Sequence, residues 1–134
     1  MSYRYGQVGA EDGAVATIRA IYDAFARRDI EGMLQHVADD CELDLPGTAE
    51  AAGRTEPYTG PGGVRQYFAD TEKVWSELTL YADDIRATAG GVAVFGHVEG
   101  RREAETMRVR VLWMWQMRGG KAFKVRANAL GPMA

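Results

Sequence analysis

The chain has 134 residues, 46% of them hydrophobic and 26% charged, which is typical of one globular domain spanning residues 1–134 rather than of a disordered or membrane protein. Its net charge of −3 gives no overall attraction to nucleic acid or anionic lipid, so neither is expected as a partner. The single cysteine, Cys41, excludes an internal disulfide, and two histidines without metal-ligand spacing make a metal or another cofactor unexpected. No apolar run has the length of a signal peptide or membrane helix, so a cytoplasmic protein is expected.

Two helices are predicted before the first strand. Glu11-Asp12 follows a glycine-rich segment and favours a helix start, and apolar residues then recur at helical spacing until residues 27–28. Asp29 can cap a second, shorter helix whose apolar face covers residues 30–37. Alternating apolar and acidic residues at 41–45 predict a strand that ends at a Pro-Gly pair.

The next segment, residues 48–61, is rich in glycine, alanine, threonine and proline. It is interpreted as an excursion that overhangs another part of the fold, with a short strand near Tyr58. A third and last helix is predicted from Gly62 to Trp75, because apolar residues recur there on one helical face.

The remainder of the chain predicts four strands, at residues 78–88, 92–101, 106–118 and 122–130. The breaks between them are short, as in antiparallel neighbours, so the strands form a meander. Three helices followed by a meander, with one early strand to extend the sheet, predict an α+β fold with the helices on one face.

The strand at 106–118 shows the clearest two-sided alternation. One face carries Met107, Val109, Val111, Trp113, Trp115 and Met117. Two interpretations of the tryptophans remain open: both belong to the core beneath the helices, or at least one lines a cavity for a flat or apolar ligand. The small side chains of Ala127 and Ala129 on the next strand favour such a cavity, since they leave space on a concave sheet.

The opposite face mixes basic residues with Leu112, Met114 and Leu130. This mixture predicts that the outer sheet face packs in part against a second copy of the chain, as in a two-fold homodimer. The alternative is a solvated face whose arginines pair with acidic residues on neighbouring strands, namely Glu99, Glu103, Glu105 or Asp83.

Four segments of the sequence resemble the superfamily of nuclear transport factor 2 (NTF2), ketosteroid isomerase and the SnoaL-like polyketide cyclases. They are YDAFARRDIEGML at 22–34, VADDC at 37–41, GPGGVRQYF at 60–68 and WQMRGGK at 115–121. The resemblance implies an NTF2-like cone, in which a curved antiparallel sheet wraps around three N-terminal helices and encloses a pocket. It says little about activity, because one fold hosts many functions.

The isomerase's catalytic groups do not transfer to this sequence. The resemblance places the general-base position at Leu45, before Pro46, and the acid of the oxyanion hole at or near Trp113. The helix-one tyrosine of the family falls at Ile21 or, with a slip of one residue, at Tyr22. Steroid isomerisation is therefore not expected.

His97 is the best remaining candidate for a catalytic acid or base, because it lies within an apolar strand and imidazole titrates near neutrality. A structural histidine is the alternative. Asp44 is a second candidate beside the lost base position, although strand alternation turns it to the other face unless a bulge intervenes. The candidate ligand-binding residues, each of which could instead be ordinary packing, are Tyr22, Tyr58, Trp75, Val111, Trp113, Trp115 and Ala127.

The resulting hypothesis is a SnoaL-like small-molecule pocket protein. It would act on an apolar or polyketide-like compound by cofactor-independent proton transfer, as an isomerase, cyclase or lyase. One alternative is a non-catalytic dimer that binds a small apolar or aromatic molecule in the same pocket. Another is an association module with a filled core and no ligand.

Overall fold

The structure is a computed structural model that describes residues 2–133, with side chains from residue 12 onward. Its elements in chain order are α1 (Ser2–Ala26), α2 (Ile30–Leu34), β1 (Val37–Asp44), α3 (Pro46–Ala51), β2 (Tyr58–Thr59), α4 (Gly60–Val74), β3 (Glu77–Thr88), β4 (Gly91–Arg102), β5 (Glu105–Arg118) and β6 (Lys121–Pro132). The predicted α+β architecture is confirmed. No helix within residues 2–133 is long and apolar enough to cross a membrane.

The six strands form one sheet in the order β2-β1-β6-β5-β4-β3. Strands β3 to β6 pair as the antiparallel meander that the short turns predict. Strand β1 runs parallel to β6, so the sheet is mixed rather than wholly antiparallel. A short turn predicts antiparallel pairing only for two strands that are adjacent in the sequence. Because β1 and β6 are separated by most of the chain, turn lengths could not predict the direction of their pairing.

Bulges curve the sheet around the helices. The register shifts between Ala82 and Asp84 in β3, and again at two places where β5 pairs with β6. Each extra residue bends its strand and increases the local twist. The concave face of the curved sheet is therefore the one that packs on the helices.

The helices differ from the sequence prediction in three places. Helix α1 begins at Ser2 rather than near Glu11, since glycine in the first turns is a weak obstacle of about 1 kcal/mol per residue. The Asp29 cap is confirmed by its bond from the Gly32 amide at 2.9 Å, but α2 ends at Leu34 because Val37 pairs with β6. A fourth helix, α3, begins at Pro46, which suits a first helical turn and does not mark a loop.

The core lies between the concave sheet face and helices α1 and α4. The predicted alternation of β5 is confirmed, because Val111, Trp113 and Trp115 are buried. The alternation of β6 is interrupted by the bulge opposite Gln116 and Met117. Core residues of the other elements include Ile18, Ile21 and Phe25 of α1, Val64 and Phe68 of α4, Val92 and Val94 of β4, and Val125 of β6.

Candidate functional site

A pocket of about 190 Å³ lies between the concave sheet face and the start of α3 and is open to solvent on one side. Its walls are Leu45, Pro46, Gly47, Thr48, Tyr67, Trp75, Leu78, Leu80, Val98, Met107, Val109, Val111, Ala127 and Ala129. Thr48, Tyr67 and Trp75 supply its polar side-chain atoms, and none of the described lining residues carries a charge at neutral pH. The pocket therefore suits an uncharged, largely apolar molecule.

A second, smaller space of about 30 Å³, here called the inner compartment, lies deeper in the cone. It is lined by Ile21, Tyr22, Phe25, Met33, Leu43, Leu45, Tyr67, Leu80, Trp113 and Trp115. Leu45, Tyr67 and Leu80 belong to the walls of both spaces. This volume is enough to hold a water molecule, which needs about 10–15 Å³ of such space.

Trp113 and Trp115 pack beside the inner compartment rather than on the wall of the larger pocket. The Tyr22 ring meets both edge-on, at centroid distances of 5.4 Å and 6.0 Å. The Trp115 indole Nε1 also donates a hydrogen bond of 3.1 Å to the Tyr22 hydroxyl. These contacts agree with the core interpretation of the two tryptophans, with only a small space beside them.

Trp75 joins the end of α4 to α3 and forms part of the pocket wall. Its Nε1 donates a 3.0 Å hydrogen bond to the Thr48 hydroxyl. The indole lies directly over Gly100 of β4, where an added Cβ would lie 2.9 Å from its Cζ3 atom. A side chain at position 100 would therefore push Trp75 out of the wall.

The phenols of Tyr67 and Tyr22 remain protonated at neutral pH. Burial raises the pKa of Tyr67 to about 12, although the hydroxyls of Thr71 and Thr48 and the charge of Arg28 act in the opposite direction. Burial also raises the pKa of Tyr22 well above its ordinary value, against the effect of the Trp115 hydrogen bond. Both groups are hydrogen-bond donors rather than bases.

A buried polar cluster holds the segment after α3 against α4. The Asp70 carboxylate, in a residue 5% exposed, accepts hydrogen bonds from the Arg54 Nε, from the Tyr58 hydroxyl at 2.8 Å and from Gln66 Nε2 at 2.8 Å. Burial acts to raise the pKa of Asp70, but these three bonds outweigh it and hold that pKa below its ordinary value. Sequence reasoning missed this cluster, although a carboxylate between Tyr67 and Thr71 on the buried side of a helix is a detectable signal.

The structure divides the predicted ligand-binding residues among three places. Trp75, Val111 and Ala127 line the pocket. Tyr22, Trp113 and Trp115 line the inner compartment. Tyr58 lines neither space, because its hydroxyl is directed to Asp70.

The two predicted catalytic residues, His97 and Asp44, line neither space. Alternation in β4 turns Val98 inward and His97 outward. The imidazole stacks on Tyr81 with ring centroids 4.2 Å apart, and its Nδ1 lies 2.6 Å from an Asp83 carboxylate oxygen. Asp44 also faces outward, with a carboxylate oxygen 3.8 Å from Nε of Arg126. Within the described residues, no group of three or more His, Cys, Asp and Glu side chains is placed to hold a metal ion.

Comparison with protein families gives a match to the SnoaL-like domain over residues 18–125. Comparison with curated protein sequences gives no match.

Several solved structures share the fold. An NTF2-like protein of unknown function from Burkholderia pseudomallei is 20% identical, with a TM-score of 0.78 over 87% of this chain and 90% of that one. TerC, co-crystallised with polyporic acid, is 26% identical, with a TM-score of 0.76 over 87% of this chain and 91% of that one. A proposed polyketide cyclase from Xanthomonas campestris is 19% identical, with a TM-score of 0.72 over 87% and 90% of the respective chains.

Proposed function

The chain belongs to the SnoaL-like domain family, and on that premise we propose that it binds a small, flat, apolar ring compound in the pocket beneath α3. The observation that carries this proposal is the lining of the pocket. Eleven of its residues are Leu, Pro, Gly, Val, Met or Ala, and the other three are Thr48, Tyr67 and Trp75. Ligand pockets typically combine such apolar walls with a few polar groups.

The pocket volume limits the size of the enclosed part of the ligand. A closed apolar cavity of about 150 Å³ holds benzene, so 190 Å³ accommodates one ring or two fused rings. Further rings would extend through the open side, between Gly47 of α3 and Ala129 of β6, both of which are exposed. The co-crystallisation of polyporic acid with TerC, at 26% identity, supports the binding of a small molecule by this chain as well.

Filling the pocket tests the proposal. Thermal unfolding is measured with polyporic acid and with a panel of one- to three-ring aromatic compounds. A ligand at a hundred times its Kd should stabilise the protein by about 2.7 kcal/mol. Ala127→Leu, which fills the pocket, should abolish the shift, whereas the matched change Ala104→Leu in the exposed β4–β5 turn should preserve it. Equal shifts in both variants would place binding elsewhere, and no shift in the wild type would favour an association module.

A second proposed function is cofactor-independent isomerisation, cyclisation or bond cleavage of a polyketide-like compound by proton transfer. Family membership and the structural likeness to a proposed polyketide cyclase support it. The outward positions of His97 and Asp44 argue against both as its acid or base. Turnover of a polyketide-like substrate should therefore survive His97→Ala and fall in Tyr67→Phe, and the opposite result would restore His97 as the catalytic group.

We also propose that the chain forms a homodimer through its outer sheet face. Three large apolar side chains are exposed on neighbouring strands of that face: Tyr81 (38%), Phe95 (45%) and Met114 (40%). Leu130 (56%) is exposed beside them, at the bulge of the next strand. Arg108 pairs with Glu99 at 2.8 Å, as predicted for a solvated face on which arginines pair with acidic residues of neighbouring strands. Such a pair nevertheless leaves these apolar side chains uncovered. A second copy would cover the same patch on both subunits, as two-fold symmetry requires.

A further inference from the structure

Trp75 belongs to the walls of three separate spaces. It lines the ligand pocket of about 190 Å³, a groove of about 500 Å³ beside the β4–β5 turn, and a space of about 210 Å³ at the end of α4. Among the described residues, it is the only one that lines both the pocket and the groove. Its side chain therefore lies at the boundary between these two spaces.

The two sides of this boundary differ in chemistry. The pocket side is uncharged and mostly apolar. Four charged and exposed residues line the groove, namely Glu72, Lys73, Arg102 and Glu103. Exposed charged side chains stay hydrated, because removing them from water is costly. An open boundary would thus bring water and charge to the apolar pocket.

Contacts with three other segments hold the Trp75 indole in place. Its backbone amide still bonds to the Thr71 carbonyl at 3.0 Å, although its own backbone is already extended, with ψ at 133°. The indole Nε1 donates to the Thr48 hydroxyl at 3.0 Å, which ties the ring to α3. Gly100 leaves room for the ring on β4, since an added Cβ would lie 2.9 Å from Cζ3 and 3.0 Å from Cε3. A rigid aromatic ring can relieve such a clash only by moving as a whole.

The closed boundary limits where a ligand can carry a large substituent. The pocket accommodates one ring or two fused rings, and a substituent at one end can leave through its open side. A substituent at the opposite end must meet a wall. The inner compartment of about 30 Å³ has room for about two water-sized groups, at about 10–15 Å³ each. The larger groove would accept a longer chain, but Trp75 closes the wall in front of it.

We propose that Trp75 is a specificity-determining residue, which closes the pocket against the groove and restricts the ligand to ring compounds with a large substituent at one end only. Gly100 is a positioning residue, which acts by leaving room for the indole on β4. This inference rests on the proposed function of the pocket. It adds the shape of ligand that the pocket selects, because a blocked end discriminates against a second substituent.

Two naphthalene ligands test this selection. The first, 2-(2-naphthyloxy)ethanol, carries one hydroxyethoxy chain, and 2,6-bis(2-hydroxyethoxy)naphthalene carries two at opposite ends. Kd values are measured by isothermal titration calorimetry. The wild type should bind the singly substituted ligand at least about tenfold more tightly, because the second chain must displace Trp75 and break its hydrogen bond. Trp75→Ala should bring the ratio of the two Kd values close to unity, since the second chain then extends into the groove.

Glycine substitutions separate the position of the indole from its presence. Gly100→Ala retains Trp75 but displaces it, so the ratio should fall in the same direction. Gly62→Ala is the matched control, because an added Cβ there meets no described atom within 4 Å, and should keep the wild-type ratio. In the Trp75→Ala background, Gly100→Ala should change the ratio no further, since the residue through which it acts is absent. A general loss of stability would affect both ligands alike and leave the ratio unchanged.

The outcomes distinguish this inference from the proposed function. Equal Kd values for the two ligands in the wild type would overturn the role of Trp75 and leave the apolar pocket intact. A wild-type ratio in both Trp75→Ala and Gly100→Ala would also overturn it. If Trp75→Ala does not fold, the ratio in Gly100→Ala decides alone. Failure of the wild type to bind either ligand would contradict the proposed function and this inference together.

Discussion

The Asp70 carboxylate is the most heavily hydrogen-bonded side chain described around α4, and its charge should matter for stability. Asp70→Asn keeps the shape but weakens the bonds from Arg54, Tyr58 and Gln66. Since hydrogen bonds to a charged group contribute about 1.5–3 kcal/mol, we expect the free energy of unfolding to fall by about 2 kcal/mol in urea denaturation at pH 7. Glu72→Gln, at an exposed position of the same helix, is the control and should change it by less than about 0.5 kcal/mol.

The same residue predicts a pH dependence with a definite sign. The pKa of Asp70 is lower in the folded protein than its ordinary value of 3.8, so its stabilisation is complete above that value. It is lost as the pH falls through the lowered pKa of the folded state. The wild type should therefore lose more stability than Asp70→Asn on acidification below pH 3.8, and parallel curves would show that Asp70 does not carry this dependence.

Single residues also show which part of the site is predictable from sequence. Alternation in β5 was sufficient to identify Val111, Trp113 and Trp115 as inward-facing, because the pleat has a period of two. The residues around His97 are apolar at successive positions, so their sequence does not show which face of β4 the imidazole occupies. Counting from inward-facing Val94 and Val98 places His97 outside. Contacts between distant segments, such as Trp75 on Gly100, leave no periodic signal.

Among the elements, α3 should depend on its side-chain links to α4. Arg54 follows α3 and bonds Asp70, while Thr48 within α3 accepts from Trp75. Arg54→Met removes the first link and should increase hydrogen exchange of the backbone amides in residues 49–54, which form short-range bonds within that segment. Exchange in β4 and β5 should remain unchanged, because their amides pair along the sheet.

An exposed ion pair provides the matched control for this variant. Arg65 on α4 pairs with Glu31 at 2.6 Å, but both side chains are more than half exposed. Arg65→Met should therefore leave exchange in residues 49–54 at the wild-type rate, since exposed pairs contribute little. If the two variants gave the same exchange pattern, the buried carboxylate would not be what holds α3 over the pocket.

Elements joined by short connections were predictable, and those that depend on distant partners were not. The strands of the meander lie within one or two residues of their predicted bounds, because short turns and period-two alternation act locally. The parallel pairing of β1 with β6 and the early end of α2 at Leu34 both depend on a strand late in the sequence. Helix α3 was missed because glycine, alanine and proline suggested a loop, whereas packing against α4 stabilises a short helix.

At the scale of the whole molecule, the sheet presents two chemically different faces. The concave face packs on helices and leaves an uncharged pocket. The convex face carries ion pairs that join β1 to the last two strands, such as Arg118 with Asp40 and Lys124 with Glu42. Between these pairs and the Tyr81–His97 stack lie the exposed side chains of Phe95 and Met114. A ligand and a partner subunit would thus occupy opposite faces.

A charge at the centre of the convex face tests the proposed homodimer. Phe95 pairs with Leu112 across β4 and β5, so Phe95→Glu places a carboxylate inside the apolar patch. Burying that charge on both subunits would cost more than the patch can contribute, because an unpaired buried charge is costly. In sedimentation at tens of micromolar protein, the wild type and Ala104→Glu should both have twice the chain mass of 14.7 kDa, and Phe95→Glu should have the mass of one chain. A monomeric wild type, or a Phe95→Glu variant that remains dimeric, would show that this face is not the interface.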